Sequence, residues 1–196
     1  MGHSKAFHLP YKKDDQDIIQ MNPAEAIAEI MDLYGDEIKR LIYTYVKNNA
    51  DTDDVTQEVF MTIYQKLSTF QGKLTLKSWV YSIAINKSKD HLRSWRSRNK
   101  RLKEKLSQSA RFLEISDETP EEYMIRENES SDLLDKVMNL PIKYREVIIL
   151  YYFKELSARE ISYALNMKEV SVRTRLIRGR EKLKQVLSLE RGVNHG

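Results

Sequence analysis

Six glycines and four prolines in 196 residues give the chain little of the punctuation that a many-stranded sheet needs. Outside one acidic stretch the apolar residues return at helical spacing instead, so the expected fold is all-α. Asn22-Pro23 has the cap-then-proline form of a helix start, followed by Ile27, Ile30, Met31 and Tyr34 at core-facing intervals. Gly35 permits a short break, after which Ile38, Leu41, Ile42, Tyr45 and Val46 supply the stripe of a second helix. NNADTDD ends that helix, and Asp53 or Asp54 caps a third, DVTQEVFMTIYQKL. Val55, Val59, Ile63 and Leu67 form its buried stripe, which leaves Asp54, Gln57, Glu58, Met61 and Gln65 on a second face where a partner could dock.

The formal net charge is only +4, yet charge is sorted along the chain. Nine Lys and Arg stand against two acids from Lys87 to Leu106, and nine acids against Arg126 alone from Glu114 to Asp135. The stretch KEVSVRTRLIRGREKLK, residues 168 to 184, is basic again, with seven cations against Glu169 and Glu181. Two basic helical modules joined by an acidic linker are expected.

Several classes are excluded or disfavoured. VIILYYF, Val147 to Phe153, is the longest apolar run and falls far short of the roughly 18 residues of a membrane span. The N-terminal MGHSKAFHLPYKKDDQD has no apolar signal core, so a cytoplasmic location is the default expectation. The chain has no cysteine for disulfides, thiol catalysis or thiolate metal ligation. Asp51, Asp53, Asp54 and Glu58 resemble a carboxylate site in composition only. A calcium loop starting at Asp51 would need an oxygen ligand, Gly and Glu where the chain has Val55, Thr56 and Thr62. Helix capping is the better account of these acids. No metal site is expected from these acids.

After the turn at Phe70-Gln71-Gly72-Lys73 comes a helix with an apolar first half and a basic second half. Trp79, Ile83 and Leu92 are assigned to a core. Phe70, Tyr81 and Trp95 interleave with cations and Asn86, a composition suited to single-stranded nucleic acid, where stacking contributes about 1–3 kcal/mol per base. Further on, Leu140-Pro141 introduces KYREVIILYYF, and Ser157 with Glu160 makes a capping box at the start of a short helix. Ile161, Ala164 and Leu165 face inward from that helix, NMK turns, and a second helix starts near Glu169, giving a helix-turn-helix layout. On the second helix Val172, Leu176, Gly179, Leu183 and Leu187 share one face. Val170, Thr174, Ile177 and Glu181 centre the opposite face, with Arg173 and Arg180 on one flank and Ser171, Arg175, Arg178 and Lys182 on the other. A helix in a DNA major groove needs a narrow strip that reaches base edges between cations that reach the phosphate walls.

These residues together resemble an extracytoplasmic-function (ECF) sigma factor of bacterial RNA polymerase, in the sigma-70 family. D-x-x-Q-E-x-F is met at Asp54 to Phe60, F-x-G at Phe70 to Gly72, and W-x-x-x-I-A-x-N at Trp79 to Asn86. LP-x-x-x-R-x-V follows at Leu140 to Val147, then the S-x-x-E-I helix and V-[KR]-[ST]-R-x-x-R-x-R-E-K-L at Val172 to Leu183. The likeness runs from about Ala24 to Leu187, and the order and spacing of its motifs carry it. It implies an N-terminal extension at 1–22, sigma region 2 at 23–104, an acidic flexible linker at 105–128 near the RNA exit path, and sigma region 4 at 129–192.

The resemblance further implies that Asp54, Gln57, Glu58 and Met61 bind the clamp helices of the largest polymerase subunit, region 4 meeting the flap of the second subunit. Phe70, Gln71 and Lys73 would surround a flipped base of the minus-ten element, Asn86 would read a neighbour, and Lys89, Arg93 and Arg96 would hold backbone. Arg173, Thr174, Ile177 and Arg178 would face bases of the minus-thirty-five element, with Arg175, Arg180 and Lys182 as phosphate or packing residues. Promoter DNA, core polymerase and an anti-sigma factor, in a membrane-anchored form, are the implied partners, and the resemblance implies no cofactor, small-molecule substrate or enzymatic activity. Val170 departs from the glycine usual in the family and suits a thymine methyl. Ser162 and Gly179 stand where alanine is common. A helix-turn-helix regulator that is no polymerase subunit would share the C-terminal module but needs a sensor domain upstream, and a metal-dependent nuclease would use the Asp51 to Glu58 acids.

Overall fold

The computed structural model describes residues 15–109 and 129–193. Among the described residues the regular elements are all helices, with no strand. Four helices form the N-terminal half: α1 (Asp15–Gln20), α2 (Pro23–Val46), α3 (Asn49–Lys66) and α4 (Leu76–Ser109). The C-terminal half holds α5 (Glu129–Met138), α6 (Ile142–Ile148), a π-helical turn at Ile149–Phe153, α7 (Ala158–Ala164) and α8 (Glu169–Val193). The proposed linker lies outside the described residues from 110 onward, and its first residues, to 109, continue α4.

α2 starts as its sequence suggests: Asn22 accepts the Glu25 amide at 3.0 Å and Pro23 occupies the first turn. It does not break at Gly35. The apolar rows Ile30, Tyr34, Ile38, Leu41 and Ile42 are buried on both sides of the glycine, and that burial outweighs the roughly 1 kcal/mol that a helical glycine costs. Met31 lies outside this row and is exposed. α3 starts earlier than the acidic pair implied, because Asn48 is the cap, accepting the Asp51 amide at 3.0 Å. Asp53 instead pairs with Lys39 at 2.6 Å. Val55, Val59, Ile63 and Leu67 pack inward as their spacing requires.

The expected extension at 1–22 needs correction over its last part. Ile18 of α1 is fully buried, and the Asp15 carboxylate accepts the Leu76 amide at 2.6 Å, capping α4 from a distant segment. Thr75 adds a second cap through the Ser78 amide at 3.3 Å. Trp79 and Ile83 join the core as expected, and Leu92 packs against its edge. Tyr81, expected among the nucleic-acid aromatics, is instead fully buried and donates its hydroxyl to Glu37.

In the C-terminal half the capping box at Ser157 and Glu160 is formed on both sides. α8 turns Val172, Leu176 and Gly179 inward against α6. Gly179 has a steric reason to be glycine. A Cβ there would lie 3.1 Å from Ile148 Cγ1 and 3.5 Å from Tyr144 Cβ. Gly179→Val should therefore overpack the α6/α8 contact and lower stability by about 1–3 kcal/mol in chemical denaturation, and Ile148→Ala in the same chain should recover part of that loss.

Candidate nucleic-acid interface

α8 presents a two-sided surface. With Val172 and Leu176 buried, Val170 is 74% exposed and Ile177 49% exposed on the opposite side. Thr174 stands between them and donates its hydroxyl to the Val170 carbonyl at 2.9 Å, so its methyl rather than a free O–H is left for a ligand. Arg178 and Lys182 are exposed beside this strip. Arg173 is exposed too and pairs with Glu169 one turn back at 2.6 Å. From Val170 to Ile177 the strip is apolar, the exposed Glu181 continues it with an acid, and its margins are cationic.

Arg175 does not join that surface. It is half-buried and turns toward α6, where its guanidinium donates to Glu146 Oε1 at 2.9 Å. The Glu146 side chain is 5% exposed and is met on its other oxygen by Lys89 at 2.9 Å and by the Tyr45 hydroxyl at 3.1 Å. Burial, and then the neighbouring carboxylate, push the Tyr45 phenol well up, which keeps it a donor. Three donors on one carboxylate offset the cost of burying its charge. Sequence reasoning missed Glu146, because nothing in KYREVIILYYF marks which of its charges is buried. The only hint was a carboxylate placed directly before the apolar run Val147 to Phe153.

The residues expected at the minus-ten element lie on one side of α4 and the turn before it. Phe70, Gln71 and Lys73 line a shallow open depression together with Trp79, and Phe70 packs on Trp79 with ring centroids 5.3 Å apart. Tyr163 of α7 forms part of the same lining, a contribution from the other half of the chain that no local pattern announced. Asn86, Arg93 and Arg96 are exposed along α4, Arg93 pairing with Asp90 at 3.3 Å. Lys89 is the exception, held by Glu146. Asp54, Gln57, Glu58 and Met61 share the exposed face of α3, and Glu58 pairs with Lys87 at 3.3 Å. The acids weighed as a carboxylate site diverge: Asp51 lies 3.5 Å from His91, Asp53 pairs with Lys39, and Glu58 with Lys87.

Two further contacts join the halves. Thr75 at the start of α4 donates to Glu160 Oε1 at 2.7 Å, and Lys154 lies 3.7 Å from Glu37. Burial pushes the Glu160 carboxyl up, but the bonds from Thr75 and Ser157 outweigh it and hold the group below the ordinary carboxylate value. Burial likewise raises Glu37, and the Tyr81 bond with Lys154, Lys77 and Arg40 more than reverses it.

Because Glu160 titrates lower folded than unfolded, its contribution is present above the ordinary carboxylate range and lost as pH falls through the depressed value. In urea unfolding, Glu160→Gln should be less stable than wild type near neutral pH, the gap closing on acidification. Arg175→Ala should cost about 1–3 kcal/mol of stability by removing one of the three donors to a buried carboxylate and leaving Oε1 without its partner, whereas the exposed Arg178→Ala should stay within about 0.5 kcal/mol in the same assay.

Comparison with known proteins gives a consistent result. Residues 30–98 match the family Sigma-70 region 2, and residues 130–183 match Sigma-70, region 4. The chain is 33% identical over 181 residues to the ECF RNA polymerase sigma factor SigW of Bacillus subtilis, covering 90% of this chain and 92% of that protein. It is 29% identical over 186 residues to the RNA polymerase sigma-H factor of Pseudomonas aeruginosa, covering 91% and 96%. The fold is shared with CnrH, solved in complex with the cytosolic domain of CnrY, at a TM-score of 0.61 and 20% identity over 89% of this chain and 95% of that one. It is also shared with the sigma factor RpoE of Bartonella quintana, solved with the anti-sigma factor NepR, at 0.60 and 17% identity over 82% and 96%. The helices, their two matched regions and the full-length relatives together place the chain in the ECF family of RNA polymerase sigma factors, transcription initiation factors that direct the enzyme to promoters.

Proposed function

We propose that this sigma factor divides promoter recognition between its halves, α8 reading the minus-thirty-five element and the α4 face taking the melted minus-ten element. The observation that carries this is the two-sided α8: buried Val172 and Leu176 oblige Val170, Thr174 and Ile177 to face outward, between cations that match phosphate walls. Arg173 and Arg178 reach base edges, Lys182 and Arg180 the backbone, and Arg175 supports the reading helix from behind through Glu146.

At the minus-ten element Phe70, Gln71 and Lys73 with Trp79 receive an extruded base, whose unstacking costs a few kcal/mol that ring contact offsets. Asn86 reads beside it and Lys89, Arg93 and Arg96 hold the strand. The exposed α3 face, Asp54, Gln57, Glu58 and Met61, docks on the clamp helices of core polymerase. The assigned boundaries are region 2 at 23–104, preceded by α1 as an integral part of its core, and region 4 at 129–192. An anti-sigma factor is a further partner, and the protein acts in the cytoplasm without catalysing a reaction itself.

The test is run-off transcription with core polymerase and promoter-bearing DNA. Specific initiation is expected, and the absence of any complex between folded protein and core polymerase would overturn the reading. Within it, Arg178→Ala should cost about 1–3 kcal/mol at the cognate upstream element and relax preference at one position. Uniform weakening on every sequence would make Arg178 a phosphate contact. Glu58→Lys should weaken association with core polymerase by about ten-fold or more, while the unfolding midpoint of the free chain stays put, since Glu58 is exposed.

A further inference from the structure

The turn assigned to the extruded base is braced from outside by α1, a segment that makes none of the base contacts assigned above. Residues 70–75 run between the 3₁₀ turn Leu67–Thr69 and the start of α4. Gly72 takes a left-handed φ of 64°, and the side chain standing against it belongs to α1: a Cβ at Gly72 would lie 3.8 Å from Gln16 Nε2. Where the turn enters α4, the Leu76 amide donates to Asp15 Oδ2 at 2.6 Å. Adjacent residues of α1 thus meet the turn at its middle and at its exit. Ile18, fully buried on the same short helix, ties both to the core.

The path from the Asp15 bond to the pocket is short. Trp79 lies nearly one turn beyond Leu76, its amide donating to the Thr75 carbonyl at 3.2 Å, and Phe70 packs on the Trp79 ring. The first turn of a helix leaves amides that need an acceptor from outside it. A carboxylate serves best, because its bond is charge-assisted and it stands at the positive end of the helix dipole. Capping is ordinarily the work of the residue before the helix. Thr75 does take the Ser78 amide at 3.3 Å, yet Leu76 is served by a residue 61 positions earlier. A six-residue helix does not hold itself in water, so the contacts that brace the turn also keep α1 in place. A pocket discriminates only as sharply as its walls are held, to within about 0.5 Å. Resting on the reading of Phe70, Gln71 and Lys73 as the base pocket, we propose that Asp15 and Gln16 are positioning residues for minus-ten selectivity, acting through the turn whose path they fix.

The full chain in complex with core polymerase is tested on promoter DNA from which the wild type initiates, randomised at the minus-ten positions in one library and at the minus-thirty-five positions in another, with the initiating sequences counted. Asp15→Ala and Gln16→Ala should each flatten the minus-ten preference by about three-fold or more and leave the minus-thirty-five preference as in wild type. Asp15→Asn, which keeps an acceptor for the Leu76 amide, should restore it. Gln16 is exposed, so Gln16→Ala should keep the wild-type unfolding midpoint and separates positioning from folding. Transcription lowered evenly across both libraries, or a minus-ten preference unchanged in both alanine variants, overturns the proposal. Phe70→Ala checks the reading beneath it. If that variant keeps the minus-ten preference, the pocket assignment fails and the proposal with it; preference lost in Phe70→Ala but kept in both α1 variants sinks the proposal alone.

Discussion

A single carboxylate, Glu146, decides how the rest of the molecule is arranged. It is nearly inaccessible to solvent, so its charge has to be answered on both oxygens. Arg175 answers from the reading helix, Lys89 from the long basic helix and Tyr45 from the second helix of the other half. Those three donors come from three helices far apart in sequence. Their convergence fixes the rotation of α8 about its axis, because Arg175 can reach Glu146 only with Val172 and Leu176 turned inward. The outward strip of Val170, Thr174 and Ile177 follows from that rotation.

The same economy recurs at the other contacts. Glu160 closes the first turn of α7 and also holds the start of α4 through Thr75. Glu37 receives the buried Tyr81 hydroxyl and faces Lys154. Local capping and packing therefore double as the fastening between halves. Apolar packing joins the halves as well: Ile30, Ile38, Ile63, Tyr81 and Ile85 of the N-terminal half and Leu150, Ile161 and Val172 of the C-terminal half belong to one buried cluster.

Helical periodicity made the buried stripes of α3 and α8 legible, since a spacing of three and four residues leaves little choice of inward face. It also showed the exposed faces at Asp54 to Met61 and Val170 to Ile177. What it could not show was long-range pairing. Asn48, rather than the louder acids after it, caps α3, because the helix starts where its first buried residue, Thr52, can reach the core. Gly35 read as a break and lies mid-helix, since flanking burial overrides local propensity. Tyr81 stands among aromatics and cations in sequence and lies in the core in space, with Lys77 over its ring. Arg175 and Lys89 looked like phosphate ligands, and only the fold reveals the carboxylate that already holds them. Ile18 was invisible for the opposite reason: one apolar pair in a polar segment carries no period.

The length of α4 has a mechanical consequence. Running unbroken from Leu76 to Ser109, it rises about 50 Å at the α-helical pitch. It is gripped at its first turn by Asp15 and Thr75 and along its first half by the core, while Arg93, Arg96 and Arg98 beyond that half are exposed. Such a helix is a lever whose clamped half and far half are about equal in length. A change of a few degrees at the clamp, where Glu160 also pulls on Thr75, moves the far end by about 1–2 Å.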